Sequence, residues 1–274
     1  MILVNGDVDP KGLRSLESLV REGVCHSADY FQQIDSTNTV ALQELRAGTL
    51  DEALLPKCYL TDNQAAGRGR HGRQWISTDG TLTFSLVVEK PSIDARRTGL
   101  MSIAVGVGIA RCLEFEFAPL NTRLKWPNDV HIGGGKVAGV LLETSPEASQ
   151  RIVVGVGVNV ANEPDLSQDP SGLQARSLTQ VVGRAIHRYE LFSPLVKHML
   201  NAMSDMVDQP ESVVDEFRQR CSLTGQRIAF QVGAVEQEGD CQGISETGEL
   251  VVETTAGVRA VQSGEARLVR VREE

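Results

Sequence analysis

Between Thr122 and Val160, four short apolar runs follow one another with little chain between them, and this constrains the fold more than any other feature. The runs are Thr122 to Trp126, Asp129 to Ile132, Val137 to Glu143 and Ile152 to Val160. Their tight turns carry Pro127-Asn128 and Gly133-Gly134-Gly135. Links this short cannot hold the long crossover that parallel neighbours require. The segment therefore predicts consecutive strands of a mixed, largely antiparallel sheet. Two earlier runs, Cys58 to Thr61 and Leu82 to Val88, read as further strands.

Helical patterns flank these strands, so the fold class is α+β. A helix is expected after Ser36-Thr37, where either hydroxyl can cap it, with Gly48 placed for a left-handed stop. From Asp94 to Phe115, Leu100, Ile103, Ala104 and Val107 recur at helical spacing, while Val105 and Ile109 cover the other side. That helix should be buried nearly all round, with Gly106 and Gly108 tolerated for close packing against a sheet. Shorter helices are expected at Leu13 to Arg21, Glu190 to Met203 and Glu211 to Arg220, and a surface loop at 161–176.

After Gly225 the pattern changes to short β-rich runs: Arg227 to Gln231, Gly243 to Ser245, Glu249 to Thr254, Val258 to Gln262 and Ala266 to Val271. These predict a small C-terminal β-barrel. The 274 residues suit one large domain and one small one. The expected division is a segment 1–28 without assigned role, a main domain 29–222 and the barrel 223–274.

A net charge of −9 gives no overall basic footprint for nucleic acid. Ile103 to Ala110, the most apolar stretch, falls far short of the roughly 20 residues that cross a bilayer, so no membrane role is expected. The start Met1-Ile2-Leu3-Val4 lacks the basic flank of a secretory signal. Cys25, Cys58, Cys112, Cys221 and Cys241 are scattered and odd in number, and read as free thiols of a cytoplasmic protein.

Four segments carry chemistry. Gln64 to Trp75 contains G-x-G-x-x-G by letter, yet three arginines occupy or flank the loop and Trp75-Ile76-Ser77-Thr78-Asp79-Gly80 is not helical. This argues against a dinucleotide fingerprint, which must open a helix. The alternatives are a solvated basic loop and a glycine-rich loop that brings guanidinium groups to anions. Lys125 to Val130 reads as a strand turn or a polar ligand contact, with Trp126 either core or contact. Gly135-Lys136-Val137 resembles a P-loop only by its Gly-Lys pair, since no Ser or Thr follows and Val130 stands where a glycine is required. Lys136 is then a surface lysine or a point charge for a phosphate or carboxylate. In Gly155-Val156-Gly157-Val158-Asn159, alternate glycines clear one face of a strand for a ligand or mark a bulge.

In order, Asp35-Ser36-Thr37-Asn38, Gln64 to Trp75, Lys125 to Val130, Lys136 to Glu143 and Gly155 to Asn159 resemble the biotin protein ligases. The match runs in register from about residue 30 to residue 160, and Ser263-Gly264-Glu265-Ala266 resembles the family's C-terminal ending. The resemblance implies a class II synthetase-like catalytic fold with an SH3-like C-terminal barrel. It implies an enzyme that uses ATP and magnesium to form biotinyl-5'-AMP, then passes biotin to a lysine of a biotin carboxyl carrier domain. No tightly bound cofactor is implied, and a homodimer stays open.

Carried over by position, the resemblance implies that Ser36, Thr37, Asn38 and Gln64 bind biotin, three of them (Ser36, Thr37 and Gln64) at its ureido end. Gly67, Arg68, Gly69 and Arg70 lie on the loop closing over biotin and the adenylate. Lys136 bridges the biotin carboxylate and the α-phosphate, and with Arg68 forms the catalytic pair. Gly139 and Gly155 wall the biotin pocket, and Trp75 stacks on adenine. Asn128 and Asp129 serve ATP, with Asp129 holding magnesium directly or through water, and Asn159 faces the nucleotide. Fixed cations suit this reaction, because a carboxylate must attack a phosphate of like charge.

The chain departs from the family pattern in three places. Val269 stands where an arginine is frequent, with Arg270 one position late, and His71 replaces what is often a basic residue. Only 34 residues precede Asp35, without a helix-turn-helix pattern, so no DNA-binding duty is expected. The rival readings are a lipoate or octanoyl ligase of the same fold and a biotin-responsive regulator with little catalysis.

Overall fold

The computed structural model describes residues 1–94, 97–166, 174–232 and 235–269. In chain order the elements are β1 (Ile2–Asn5), α1 (Pro10–Arg21), β2 (Ser27–Ile34), α2 (Thr37–Ala47), β3 (Lys57–Gln64) and β4 (Thr81–Glu89). Then come α3 (Leu100–Glu116), β5 (Arg123–Lys125), β6 (Asp129–Ile132), β7 (Gly135–Glu143), β8 (Arg151–Asn159), α4 (Leu178–Val182), α5 (Arg188–Asp208) and α6 (Pro210–Arg220). The C-terminal strands are β9 (Arg227–Val232), β10 (Val235–Ile244), β11 (Leu250–Thr254), β12 (Gly257–Val261) and β13 (Ala266–Leu268). Parts of three expected elements fall outside the described residues: 95–96 of the Asp94 to Phe115 helix, 167–173 of the surface loop, and 270–271 of the last strand, with Arg270.

The chain forms two compact units, Met1–Pro91 with His131–Lys197 and Ser92–Val130 with His198–Glu274. In the first, strands lie in the order β1-β2-β3-β4-β8-β7. The β1–β2 and β2–β3 pairs are parallel; β3–β4, β4–β8 and β8–β7 are antiparallel. The mixed sheet is thus as expected, with two strands the sequence did not advertise. The exposed edge strand β1 leaves Leu3 and Val4 in solvent, and β2 carries the polar pair Gln32-Gln33 before its last residue, Ile34. Helix α1 starts at an Asp9 cap, whose carboxylate accepts from Lys11 N, followed by Pro10.

One face of β4 and β8 is apolar: Leu82, Phe84, Leu86, Val154, Val156 and Val158 are all buried, and the Phe84 ring meets Phe192 edge-on at 5.1 Å. The other face is divided. Toward the β4 C-terminus, Tyr59, Val87 and Val153 pack under Ala41, Leu42 and Leu45 of α2. Toward its N-terminus the same strands carry hydroxyls and glycines.

In the second unit, α3 is buried nearly all round as far as Leu113, as its pattern predicts, while Phe115 in its last turn is exposed. Gly108 admits another helix rather than a sheet: a Cβ there would lie 2.7 Å from Met199 Cα and from the His198 carbonyl of α5. Trp126 is core, its Nε1 donating to the Gly248 carbonyl at 3.0 Å. The C-terminal strands form an antiparallel sheet in the order β12-β11-β10-β9-β13. Closure into the expected SH3-like barrel is not found among the described residues, because β13 is three residues long and pairs with β9.

Candidate active site

The polar half of the divided face is built by register. On β4, Thr81, Thr83 and Ser85 stand opposite Asn159, Gly157 and Gly155 of β8, while Gly139 and Leu141 of β7 stand opposite Gly157 and Gly155. Side chains alternate along strands, so these residues share one surface. Glycine at 139, 155 and 157 makes it a shallow floor.

Helix α2 presents its first turn to this floor. Ser36 takes the cap position, but its hydroxyl makes no capping bond, contrary to expectation. The first N–H group of the helix, that of the buried Thr37, is satisfied by Gln64 Oε1 at 2.8 Å, which also receives Thr37 Oγ1 at 3.1 Å. Because Oε1 is committed to Thr37, the Gln64 amide nitrogen faces Gly67 and the loop. Ser85 Oγ lies 2.6 Å from both Thr37 Oγ1 and Asn38 Oδ1, with one proton to share between them. Asn38 Nδ2 donates to Glu143 Oε2 at 2.8 Å, and Glu143 Oε1 receives Arg68 Nη2 at 2.8 Å. A continuous chain of polar contacts thus runs from Gln64 through Thr37, Ser85, Asn38 and Glu143 to Arg68. Gly155 is what lets Asn38 lie on the sheet, since a Cβ there would fall 2.1 Å from Asn38 Oδ1.

The arginine-glycine segment is a folded hairpin. Gly69 N donates to Arg73 O at 2.8 Å and Trp75 N to Gly67 O at 3.0 Å. At its tip His71 and Gly72 both have positive φ, 54° and 74°, and Arg73 N donates to Arg70 O. This is the backbone of a two-residue hairpin turn, and a side chain at the first position makes the histidine an unusual occupant. Gly67 permits the stems to close, because its Cβ would sit 2.3 Å from Trp75 O.

The hairpin lays Trp75 across the floor. A Cβ on Gly157 would lie 2.3 Å from Trp75 Cε2, and one on Gly139 would lie 3.5 Å from Trp75 Cζ3 and 2.9 Å from Lys136 Nζ. Lys136 Nζ sits 5.8 Å from the Trp75 ring centroid. Three buried polar atoms around this floor, Trp75 Nε1, Thr83 Oγ1 and Asn159 Oδ1, have no hydrogen-bond partner among the described residues. Buried polar atoms are ordinarily satisfied, so the surface is prepared for a ligand rich in polar groups.

Sequence reasoning named Thr37, Asn38, Gln64, Gly67, Arg68, Trp75, Lys136, Gly139, Gly155 and Asn159, and the structure brings them together. Ser36 is buried beside them at the start of α2, and Gly69 and Arg70 lie on the hairpin. Asn128 and Asp129 belong to the second unit, where β6 begins. Ser85, Thr83 and Glu143 were missed as site residues. The alternation Thr81-Thr83-Ser85 opposite Asn159-Gly157-Gly155 is the signal that finds the first two.

A glycine floor, an aromatic cover and two cations suit a flat, polar, anionic ligand. The Biotin/lipoate A/B protein ligase family matches residues 30–159. A biotin–[acetyl-CoA-carboxylase] ligase of Paracoccus denitrificans is 30% identical over 84% of this chain and 96% of its own length. One from Mycobacterium tuberculosis is 29% identical over 86% of this chain and 87% of its own. Among solved structures, the biotin protein ligase of Aquifex aeolicus in complex with biotin and ATP superposes with a TM-score of 0.74 at 25% identity, covering 89% of this chain and 99% of that one. The chain belongs to the biotin protein ligases of the biotin/lipoate ligase family.

Proposed function

We infer that the chain is an ATP-dependent ligase that forms biotinyl-5'-AMP and transfers biotin to a specific lysine of a biotin carboxyl carrier domain. The observation that carries this reading is the floor itself: glycines 139, 155 and 157 under Trp75, bordered by the chain from Gln64 to Arg68.

The residue roles proposed are those that the family resemblance implies, and this placement supports them. Gln64, oriented by Thr37, presents its amide N–H groups to the ureido carbonyl of biotin, with Ser36 and Thr37 completing that end and Asn38 beside them in the biotin pocket. Gly139 and Gly155 supply the backbone surface, and Arg68 and Arg70 close the hairpin over the intermediate. Lys136, at the mouth of β7, holds the biotin carboxylate against the α-phosphate. Arg68 is paired with Glu143 and Lys136 lies over Trp75, so each cation exchanges an internal contact for a ligand anion. Their charge offsets the repulsion that opposes attack of carboxylate on phosphate, worth about 2 to 4 kcal/mol per contact in a desolvated site. Closure also shields the mixed anhydride from water.

Trp75, Asn159 and the Asn128-Asp129 turn serve the nucleotide, with adenine against the indole. Among the described residues no group of three or more His, Cys, Asp or Glu side chains forms a metal cage. Magnesium is ordinarily held by one or two carboxylates together with substrate phosphates; Asp129 is the proposed carboxylate. No described helix is long and apolar enough to cross a membrane. The free, buried cysteines support work in a reducing cytoplasm, and the acidic net charge supports a reading without nucleic acid. Residues 29–222 are proposed to hold the catalytic residues, with 223–274 as an appended module.

The test is incubation with ATP, magnesium, labelled biotin and a carrier domain. Label is expected in the carrier and absent when its acceptor lysine is replaced. Transfer of lipoate or octanoate in place of biotin would assign the chain to the other branch of the family.

A further inference from the structure

The hairpin that carries Arg68, Arg70 and Trp75 leaves the sheet at the end of β3 and returns at the start of β4. These two strand ends form the outer stems of the hairpin, and both meet one side chain. Arg188, the first residue of α5, donates from Nη1 to the Asp62 carbonyl at 2.8 Å and to the Thr81 carbonyl at 3.1 Å. Its Nη2 donates to Asp62 Oδ1 at 3.0 Å. Asp62 precedes Gln64 by two residues, and Thr81 is the register partner of Asn159.

Resting on the ligase reading above, we propose that Arg188 is a positioning residue for the reaction: its guanidinium spans the carbonyls of Asp62 and Thr81 and sets the separation of the two stems of the closing hairpin. The spacing of those stems decides where Arg68 and Trp75 come to rest over the floor.

The clamp is itself braced. Asp62 Oδ1 also receives the Tyr30 hydroxyl at 2.7 Å and the Tyr189 hydroxyl, and Asp62 Oδ2 receives Asp9 N at 3.1 Å. Burial pushes the ionisation of both phenols well up, so each stays a donor to the carboxylate. The Arg188 guanidinium lies 4.8 Å from the Tyr189 ring centroid, and side-chain exposure is only 11% for Arg188 and 15% for Asp62. Asp9 caps α1, and Gly12 of that helix makes room for the Tyr30 hydroxyl, which its Cβ would approach to 2.1 Å. Residues near the N-terminus thereby support the hairpin stems from behind. Lysine could not replace the arginine, because a single ammonium lacks the planar fork that serves two carbonyls and a carboxylate together.

The experiment compares wild type, Arg188→Lys, Tyr30→Phe, Arg68→Gly and the Arg188→Lys/Arg68→Gly double variant. Two quantities are read: retention of biotinyl-AMP without carrier, and Tm. Arg188→Lys should release the intermediate about tenfold faster, the effect of losing one charge-assisted contact. Tyr30→Phe, which leaves both carbonyl contacts intact, should lower Tm while holding the intermediate as wild type does. In the Arg68→Gly background the lysine substitution should add no further leak, because the hairpin no longer grips. Wild-type retention in Arg188→Lys would overturn the proposal. So would a leak that multiplies with that of Arg68→Gly, or an equal leak in a Tyr30→Phe protein of equal Tm. Failure of the wild type to make biotinyl-AMP would instead remove the ligase reading.

Discussion

The same two strands end in opposite chemistry. At one end of the divided face, Val87 of β4 and Val153 of β8 stand in register beneath α2, and both are fully buried. Only two register positions away Ser85 faces Gly155, followed by Thr83 with Gly157 and Thr81 with Asn159. Backbone geometry continues unchanged from one end to the other. A sheet face becomes a ligand platform here by losing side chains and gaining hydroxyls, while the neighbouring apolar half keeps the strands fixed. The rigid half supplies the stability that the ligand half gives up.

That contrast is broken most severely at Gly157. Gly157→Val places a branched side chain where a Cβ alone would come within 2.3 Å of the Trp75 ring. Carrier labelling should fall about 100-fold, the scale expected when reacting groups are displaced by about an ångström, while Tm moves little. Val153→Ala, four register positions along, should do the reverse: roughly 2 kcal/mol of stability lost by cavity formation, with the KM for biotin unchanged. Comparable loss of function in both, at matched Tm, would erase the distinction between the halves.

A smaller effect is expected at the hairpin. Arg68→Gly should let biotinyl-AMP escape roughly tenfold faster, as one charge-assisted contact is lost; full retention would sink the role given to the loop. Smaller again is Glu143→Gln. The Arg68 side chain is 45% exposed in its pair with Glu143, so Tm should hold, since exposed pairs contribute little. Release of Arg68 from its internal partner should alter adenylate retention about two- to threefold. The smallest effect is none at all. Burial pushes the Cys25 and Cys112 thiols up to about 12 and Cys241 up to about 11. Thiol reagents should therefore leave ligation intact until the chain unfolds, and rapid inactivation at neutral pH would show a reactive cysteine the structure does not contain.

The consecutive motifs were legible because their chemistry is local. Gln64 to Trp75 announced a loop of glycines and arginines, and Gly155-Val156-Gly157 announced a cleared strand face. Ser85, Thr83 and Glu143 were not legible as site residues, because their role arises only when β4, β7 and β8 fall into register across long stretches of sequence. Strand β10 was read only at its end, since Glu236, Glu238 and Asp240 give its first half a solvated look. The Ser36 cap was misjudged for a similar reason: the acceptor for the first N–H group of α2 comes from Gln64, 27 residues away.

Calorimetric titration of biotin into wild type, Val153→Ala and Gly157→Val tests the central claim most directly. Stoichiometric uptake by the first two and none by the third is the predicted result. Undiminished uptake by folded Gly157→Val would show that the vitamin binds somewhere other than this glycine floor.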